Sequence, residues 1–204
     1  SMKQTMKSIL IFAGLFSLNA FVFAEPNPNQ FIDSRAQAMV EVIRNNQSLY
    51  LSDPELFKAK INEIFEPMVD FRRVGASVMG KKFYLAATKD QRQQFIATFR
   101  TSLLDTYSST LAQWGDQTIK TIYPDSLIFD QTEDVHQNLI TSNNIYPITY
   151  KVRSDGEGNW LIINIIVNGV NLGLTFRNQF QALASEHDND INEIINHWTS
   201  DANL

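Results

Sequence analysis

Three histidines, His136, His187 and His197, are all the imidazole this chain possesses, and it has no cysteine. No pair of them stands at the spacing of an HExxH helix. No DxDxDG calcium loop, GxSxG elbow, P-loop or GxGxxG turn occurs either. The most polar run is Glu186-His187-Asp188-Asn189-Asp190. It admits a metal or acid–base site on one side, and a solvated turn ending in a helix N-cap on the other. The capping pattern at Asp190 favours the turn. Glu133-Asp134-Val135-His136 falls at a strand end and reads the same way. The absence of cysteine removes disulfides, thiol chemistry and Cys-rich zinc sites. No catalytic residue, metal or cofactor is expected, and the chain is not read as an enzyme.

Charge narrows the partners. With 17 Lys+Arg against 22 Asp+Glu the net charge is −5, and removing residues 1–24 takes away two lysines and no acid, giving −7. Phosphate backbones need clustered Lys and Arg, so a nucleic-acid partner is not expected. Residues 1–24 read as a secretory signal behind a scar residue, Ser1. Lys3 and Lys7 precede an apolar run from Ile9 to Phe23, and the cut is expected after Ala24. A lipoprotein would need a cysteine just after that cut. The expectation is therefore a free periplasmic domain spanning residues 25–204, long enough for one full core.

The elements that would position any site come in two blocks. Glu25–Gln30 reads as an exposed leader, followed by a helix from Phe31 to Asn45. Asp53-Pro54 opens a second helix to Phe65, Asp70 caps a short one that stops at Gly80, and Thr88-Lys89-Asp90-Gln91 is a capping box. That box starts a long helix to about Trp114, with Phe95, Phe99, Leu103, Tyr107 and Leu111 near one stripe. After Gly115 the pattern turns to strands: Thr118–Tyr123, Leu127–Glu133, Asn138–Ser142 and Ile145–Arg153. Gly156–Asn159 is a turn that makes Tyr146–Arg153 and Trp160–Asn168 a hairpin. Asn168-Gly169 marks a bend. Beyond it, Val170, Leu172, Leu174 and Phe176 alternate with polar or small residues, as on a strand. Helices around Asn178–Ser185 and Asp190–His197 close the chain. Helices first and antiparallel strands later is an α+β arrangement.

Two features stand apart. Phe71, Val74, Val78, Met79, Phe83, Tyr84 and Leu85 load a short helix and its exit with more apolar surface than its length needs. Between Leu161 and Val167, six of seven side chains are large and aliphatic, so both faces of that strand need cover. Core packing and a ligand pocket both account for such stripes.

Ser77–Leu111 carries Met79-Gly80, Phe83-Tyr84, Ala87-Thr88, Gln91-Arg92, Phe99-Arg100 and Tyr107-Ser108 in order. A second block has Gly158-Asn159-Trp160, then Asn168-Gly169-Val170-Asn171, then Gln179-Phe180. Together they resemble the MlaC, or toluene-tolerance auxiliary, family of periplasmic phospholipid carriers, over nearly the whole mature chain. The chain departs from the family pattern at Asn164 (usually Asp), Asn168 (Glu), Asn171 (Ser) and Phe176 (often Tyr), and matches poorly over Leu127–Ser142. The resemblance implies helices packed on a curved antiparallel sheet, related to the nuclear-transport-factor-2-like (NTF2-like) fold, around an apolar cavity. It implies phospholipid as cargo, carried between an inner-membrane ABC-transporter complex with an MCE-domain subunit and an outer-membrane lipoprotein–porin complex, maintaining outer-membrane lipid asymmetry. On that reading acyl tails cover part of the second face of Leu161–Val167. Val74, Val78, Met79, Phe83, Phe99, Leu103, Ile163, Ile165, Val170, Leu172 and Leu174 are the expected tail contacts, each equally able to be core. Arg100 and Arg177 are the expected head-group contacts, with a snorkelling surface role as the alternative. A ligand-free adaptor stays open. So does a small-ligand enzyme, which would need a buried acid or His beside Tyr107 or Tyr146.

Overall fold

The computed structural model describes residues 26–204; the signal segment and its cleavage point lie outside them. Five helices come first: α1 (Pro28–Asn46), α2 (Leu49–Ser52), α3 (Pro54–Met68), α4 (Phe71–Ala86) and α5 (Lys89–Ala112). Strands β1 (Thr118–Ile122), β2 (Thr132–Ile140), β3 (Ile145–Ser154), β4 (Trp160–Val167) and β5 (Val170–Asn171) follow, and α6 (Leu172–Glu186) and α7 (Ile191–His197) end the chain. The sheet runs β1-β2-β3-β4-β5, antiparallel throughout. The α+β class read from the sequence is therefore the observed one.

The caps act where the sequence places them. Asp53 and Asp70 each accept a backbone N–H of the following helix at 3.1 Å, and Thr88 and Gln91 form the reciprocal capping box. Asp70 does a second job. Its other oxygen accepts from Arg153 Nε at 2.6 Å, while its own N–H donates to the Ile162 carbonyl at 3.0 Å. The α3–α4 junction is thus pinned to β3 and β4.

Three readings are corrected and one is extended. The leader is exposed only in part: Pro26 and Gln30 are open to solvent, but Pro28 and Asn29 are buried, and the buried Trp160 donates its indole N–H to the Pro26 carbonyl at 2.6 Å. The α4 helix does break at Gly80, where its end is expected, but helical turns continue beyond the break. That residue takes φ 78°, a break only glycine adopts freely, and the helix resumes to bury Phe83. Leu127–Glu133 and Asn138–Ser142 are not two strands. Ser126 folds back on Ile128, leaving Leu127 and Ile128 exposed, and β2 is one strand from Thr132. Finally, the alternating run at Val170–Phe176 is mostly helix. Asn168 and Gly169 turn with positive φ, only Val170 and Asn171 pair with β4, and the Asn171 side chain then caps α6 at Leu174 N. Phe176, Phe180 and Ala184, all buried, recur every four residues, which is the period that prevails.

Candidate functional site

The helices cover one face of the sheet. Val135, Val152, Trp160 and Ile162 pack there with Ile32 and Met68, whereas Lys120, Asp134, His136 and Lys151 on the other face are exposed. Along β4 the register shifts: Val152 faces Ile162, but Lys151 faces Asn164, so Ile163 is the extra residue of a bulge. Tyr150, on the same face as Val152, then faces Ile165. The bulge therefore keeps Ile162 and Ile165 together beneath the helices although they are three residues apart.

Between that face and the helices lies a cavity of about 370 Å³. Ile61, Phe65 and Met68 of α3 bound it on one side, and Leu103, Leu104 and Leu111 of α5 on another. Tyr150, Ile162 and Ile165 form the sheet wall, Leu172 and Phe176 the α6 wall, and Phe71 and Val74 the start of α4. Exposed Thr110 and Leu204 stand at its rim. The volume lies within the range of small-molecule sites, roughly 300–1,000 Å³. Polar groups on the wall are few. Tyr107 is committed: its hydroxyl accepts the Ala202 N–H at 2.9 Å. The Tyr150 hydroxyl has no hydrogen-bond partner among the described residues, and burial pushes its phenol up to about 12.

Asn164 organises the corner between β4 and α6. Its Oδ1 accepts from Gly173 N at 3.0 Å and its Nδ2 donates to Asn171 Oδ1 at 2.9 Å. A Cβ at Gly173 would sit 2.7 Å from Asn164 Oδ1, so a side chain there would push the Asn164 amide off its bonds. Two departures from the family pattern thus meet. Where Asp and Ser would pair through a hydroxyl donor, Asn164 and Asn171 pair through an amide donor.

Of the expected tail contacts, Val74, Phe99, Leu103, Ile165 and Leu172 line the cavity. Val78, Met79 and Phe83 do not: they are buried in the helical core, with the Phe83 and Phe180 rings 5.4 Å apart. Ile163 is the bulged residue off the wall, and Val170 and Leu174 are exposed at the turn and on α6. The cavity also lies on the helix face of β4, not on the second face of Leu161–Val167; Leu161, Ile163 and Ile166 stay partly buried and off its wall. Arg100 bonds Glu66 at 3.1 Å with its guanidinium 6.0 Å from the Phe71 ring, just outside the wall. Arg177 is exposed and lies over the break at Gly80, where an added Cβ would be 3.5 Å from its Nη2. Ile61, Phe65 and Met68 of α3 are wall residues outside the expected set, although they recur at helical spacing. As for acid–base chemistry, burial raises the Tyr107 phenol and nearby Asp201 adds to it, but that carboxylate accepts the Asn203 N–H at 2.9 Å.

Known proteins place this arrangement. The chain is 29% identical over 197 residues to the toluene tolerance protein ttg2D of Pseudomonas putida, covering 96% of this chain and 89% of that one. It is 25% identical over 165 residues to the intermembrane phospholipid transport system binding protein MlaC of Haemophilus influenzae, covering 77% of each. Its fold matches that of the phospholipid-binding protein from Ralstonia solanacearum, solved in complex with a phospholipid. The TM-score is 0.75 at 20% identity, over 83% of this chain and 93% of that one. The family model described as MlaC protein matches residues 33–200, and the chain belongs to that family.

Proposed function

We propose that this protein is a periplasmic carrier that holds the acyl tails of a glycerophospholipid in the helix–sheet cavity. It passes the lipid between the inner-membrane transporter complex and the outer-membrane lipoprotein–porin complex, and so maintains outer-membrane lipid asymmetry. The single observation that carries the reading is the deep, almost wholly apolar cleft beneath α3 and α5. A Haemophilus relative that is the binding protein of a phospholipid transport system, and a Ralstonia protein of the same fold solved with a phospholipid, support the choice of phospholipid. Among the described residues no helix is long and apolar enough to cross a membrane, consistent with a carrier that leaves the bilayer.

Energetics set what such a carrier must do. Each methylene left in water costs about 0.8 kcal/mol, so two tails of about 16 carbons forfeit on the order of 20 kcal/mol if left wet. A greasy surface patch does not offset that; an enclosing wall does. α5 at 24 residues spans about 36 Å, enough to flank an extended chain. Met39 and Met68 on the wall adapt to chains of different length and unsaturation. Of the two arginines, Arg100 beside Phe71 is the better placed to meet a phosphate.

The test is native mass spectrometry of the chain from Glu25, purified from bacterial cells without detergent, followed by lipid extraction. One or a few phospholipid masses per chain are expected. A bare polypeptide mass that persists after incubation with liposomes would overturn the carrier reading.

A further inference from the structure

The tight turn between α6 and α7 brings two of the chain's three histidines together. The rings of His187, the C-cap of α6, and His197, the last residue of α7, stack with centroids 4.2 Å apart and planes 23° apart. Glu193 stands one turn before His197 on α7, its carboxylate 3.8 Å from His197 Nδ1. One ligand atom from each of His187, Glu193 and His197 lies within 4.8 Å of the others. We propose that these three side chains bind a divalent transition metal ion of the zinc class.

The ligand set selects the ion. Two imidazoles and one carboxylate suit zinc, nickel or copper; calcium and magnesium take oxygen ligands. The frame is rigid. His187 N donates to the Leu183 carbonyl at 3.0 Å, Asn189 N to Ala184 at 2.8 Å, and Asp190 N to His187 at 2.9 Å. Asp190 then caps α7 through Asn192 N and Glu193 N, so it belongs to the scaffold and not to the ligands. The His197 Nδ1 lies 2.8 Å from the Glu193 carbonyl, which can only accept. That contact puts the ring proton on Nδ1 and leaves the Nε2 lone pair for a metal, an orienting bond common behind ligating histidines. Zinc at about 2.1 Å from each ligand draws tetrahedral donors to about 3.4 Å apart. The stacked rings send their in-plane lone pairs along near-parallel planes, so binding turns the half-buried His187 out of the stack and swings Glu193 from the Nδ1 to the Nε2 edge of His197, and water completes the shell. The ion would staple α6 to α7 next to Trp198, in a chain without disulfides.

The experiment is titration of the untagged chain from Glu25 with zinc chloride, by isothermal calorimetry and by proton–carbon spectra of the histidine rings. One saturable site of micromolar strength is expected. The His187 and His197 resonances should move while those of His136, on the far sheet face, stay put. H187A, H197A and E193Q should each weaken binding by about tenfold or more. The proposal fails if zinc does not saturate a site below millimolar concentration, or if a folded H187A/H197A double variant binds as the parent does. It also fails if the His136 resonances move while those of His187 and His197 do not. None of these readouts depends on lipid.

Discussion

The two halves of α5 use similar residues to opposite ends. In the first half, Phe95 and Phe99 sit within a knot of rings. Phe95 lies 5.1 Å from both Phe180 and Trp198, and Phe99 lies 5.3 Å from Phe176, all in edge-on contact. In the second half, Leu103, Leu104 and Leu111 look across to Ile61, Met68 and Ile165, and the space between stays open. Large rings meeting edge to face fill volume at the density of a crystal. Apolar walls held apart by a pinned α3–α4 junction do not. An apolar stripe therefore tells where water is excluded, and its partners decide whether a core or a vessel results.

The sharpest way to break that contrast is to delete volume on the filled side. Phe95→Ala should cost about 3–5 kcal/mol in urea unfolding, while Leu103→Ala, already beside a void, should fall at or below about 2 kcal/mol. Equal losses at the two sites would dissolve the distinction. Tyr150 tests the dryness of the hollow side. Its phenol is neutral up to about 12 in the folded protein and ionises near its ordinary value of 10.0 when unfolded. The unfolded chain then binds fewer protons between those values, so stability falls as pH rises from about 10 to 12 and is unaffected below. The loss from this group reaches on the order of 2–3 kcal/mol. Y150F should remove that increment, seen as a shallower decline of the urea midpoint above pH 10; an unchanged decline would mean the hydroxyl is wet. The smallest effect on stability is expected from filling the hollow. Leu103→Trp should change unfolding free energy by about 1 kcal/mol or less yet expel lipid, whereas Val170→Trp at the exposed turn should leave lipid occupancy intact. Mass spectrometry of the two variants decides between them.

Much of this was legible in residues with strong local chemistry. Asp53, Asp70 and Thr88 announced three helix starts, and Gly156–Asn159 announced the β3–β4 hairpin. Asn171 was missed as a cap because Val170, Leu172, Leu174 and Phe176 fit a period of two as well as a helix. Only the continuation through Phe180 and Ala184 separates the two. The cavity wall was half legible. Val74, Phe99, Leu103, Ile165 and Leu172 were found by apolarity, and Val78, Met79 and Phe83 were drawn in by the same signal although neighbours fill the space around them. Ile163 misled for another reason: a bulge changes which residues share a face without any marker such as glycine. The meeting of His187 with His197 depends on the turn at Asp188 and Asn189, whose positive φ no spacing rule records.

The strand order has a consequence for how the molecule assembles itself. Every strand pairs with its neighbours in sequence, so each ladder closes a short loop and loses little chain entropy in doing so. The sheet can zip from hairpin to hairpin early. The contact of Trp160 with Pro26, the Thr121–Asp33 bond and the bonds of Arg44 in α1 to the chain just before β1 join residues 71 to 134 positions apart, and are expected late. On that topology the wall of the vessel is expected to form before its roof. The sheet face bearing Tyr150, Ile162 and Ile165 would then stand bare until the helices dock, and a transient rise in binding of a dye for exposed apolar surface during refolding is the expected sign.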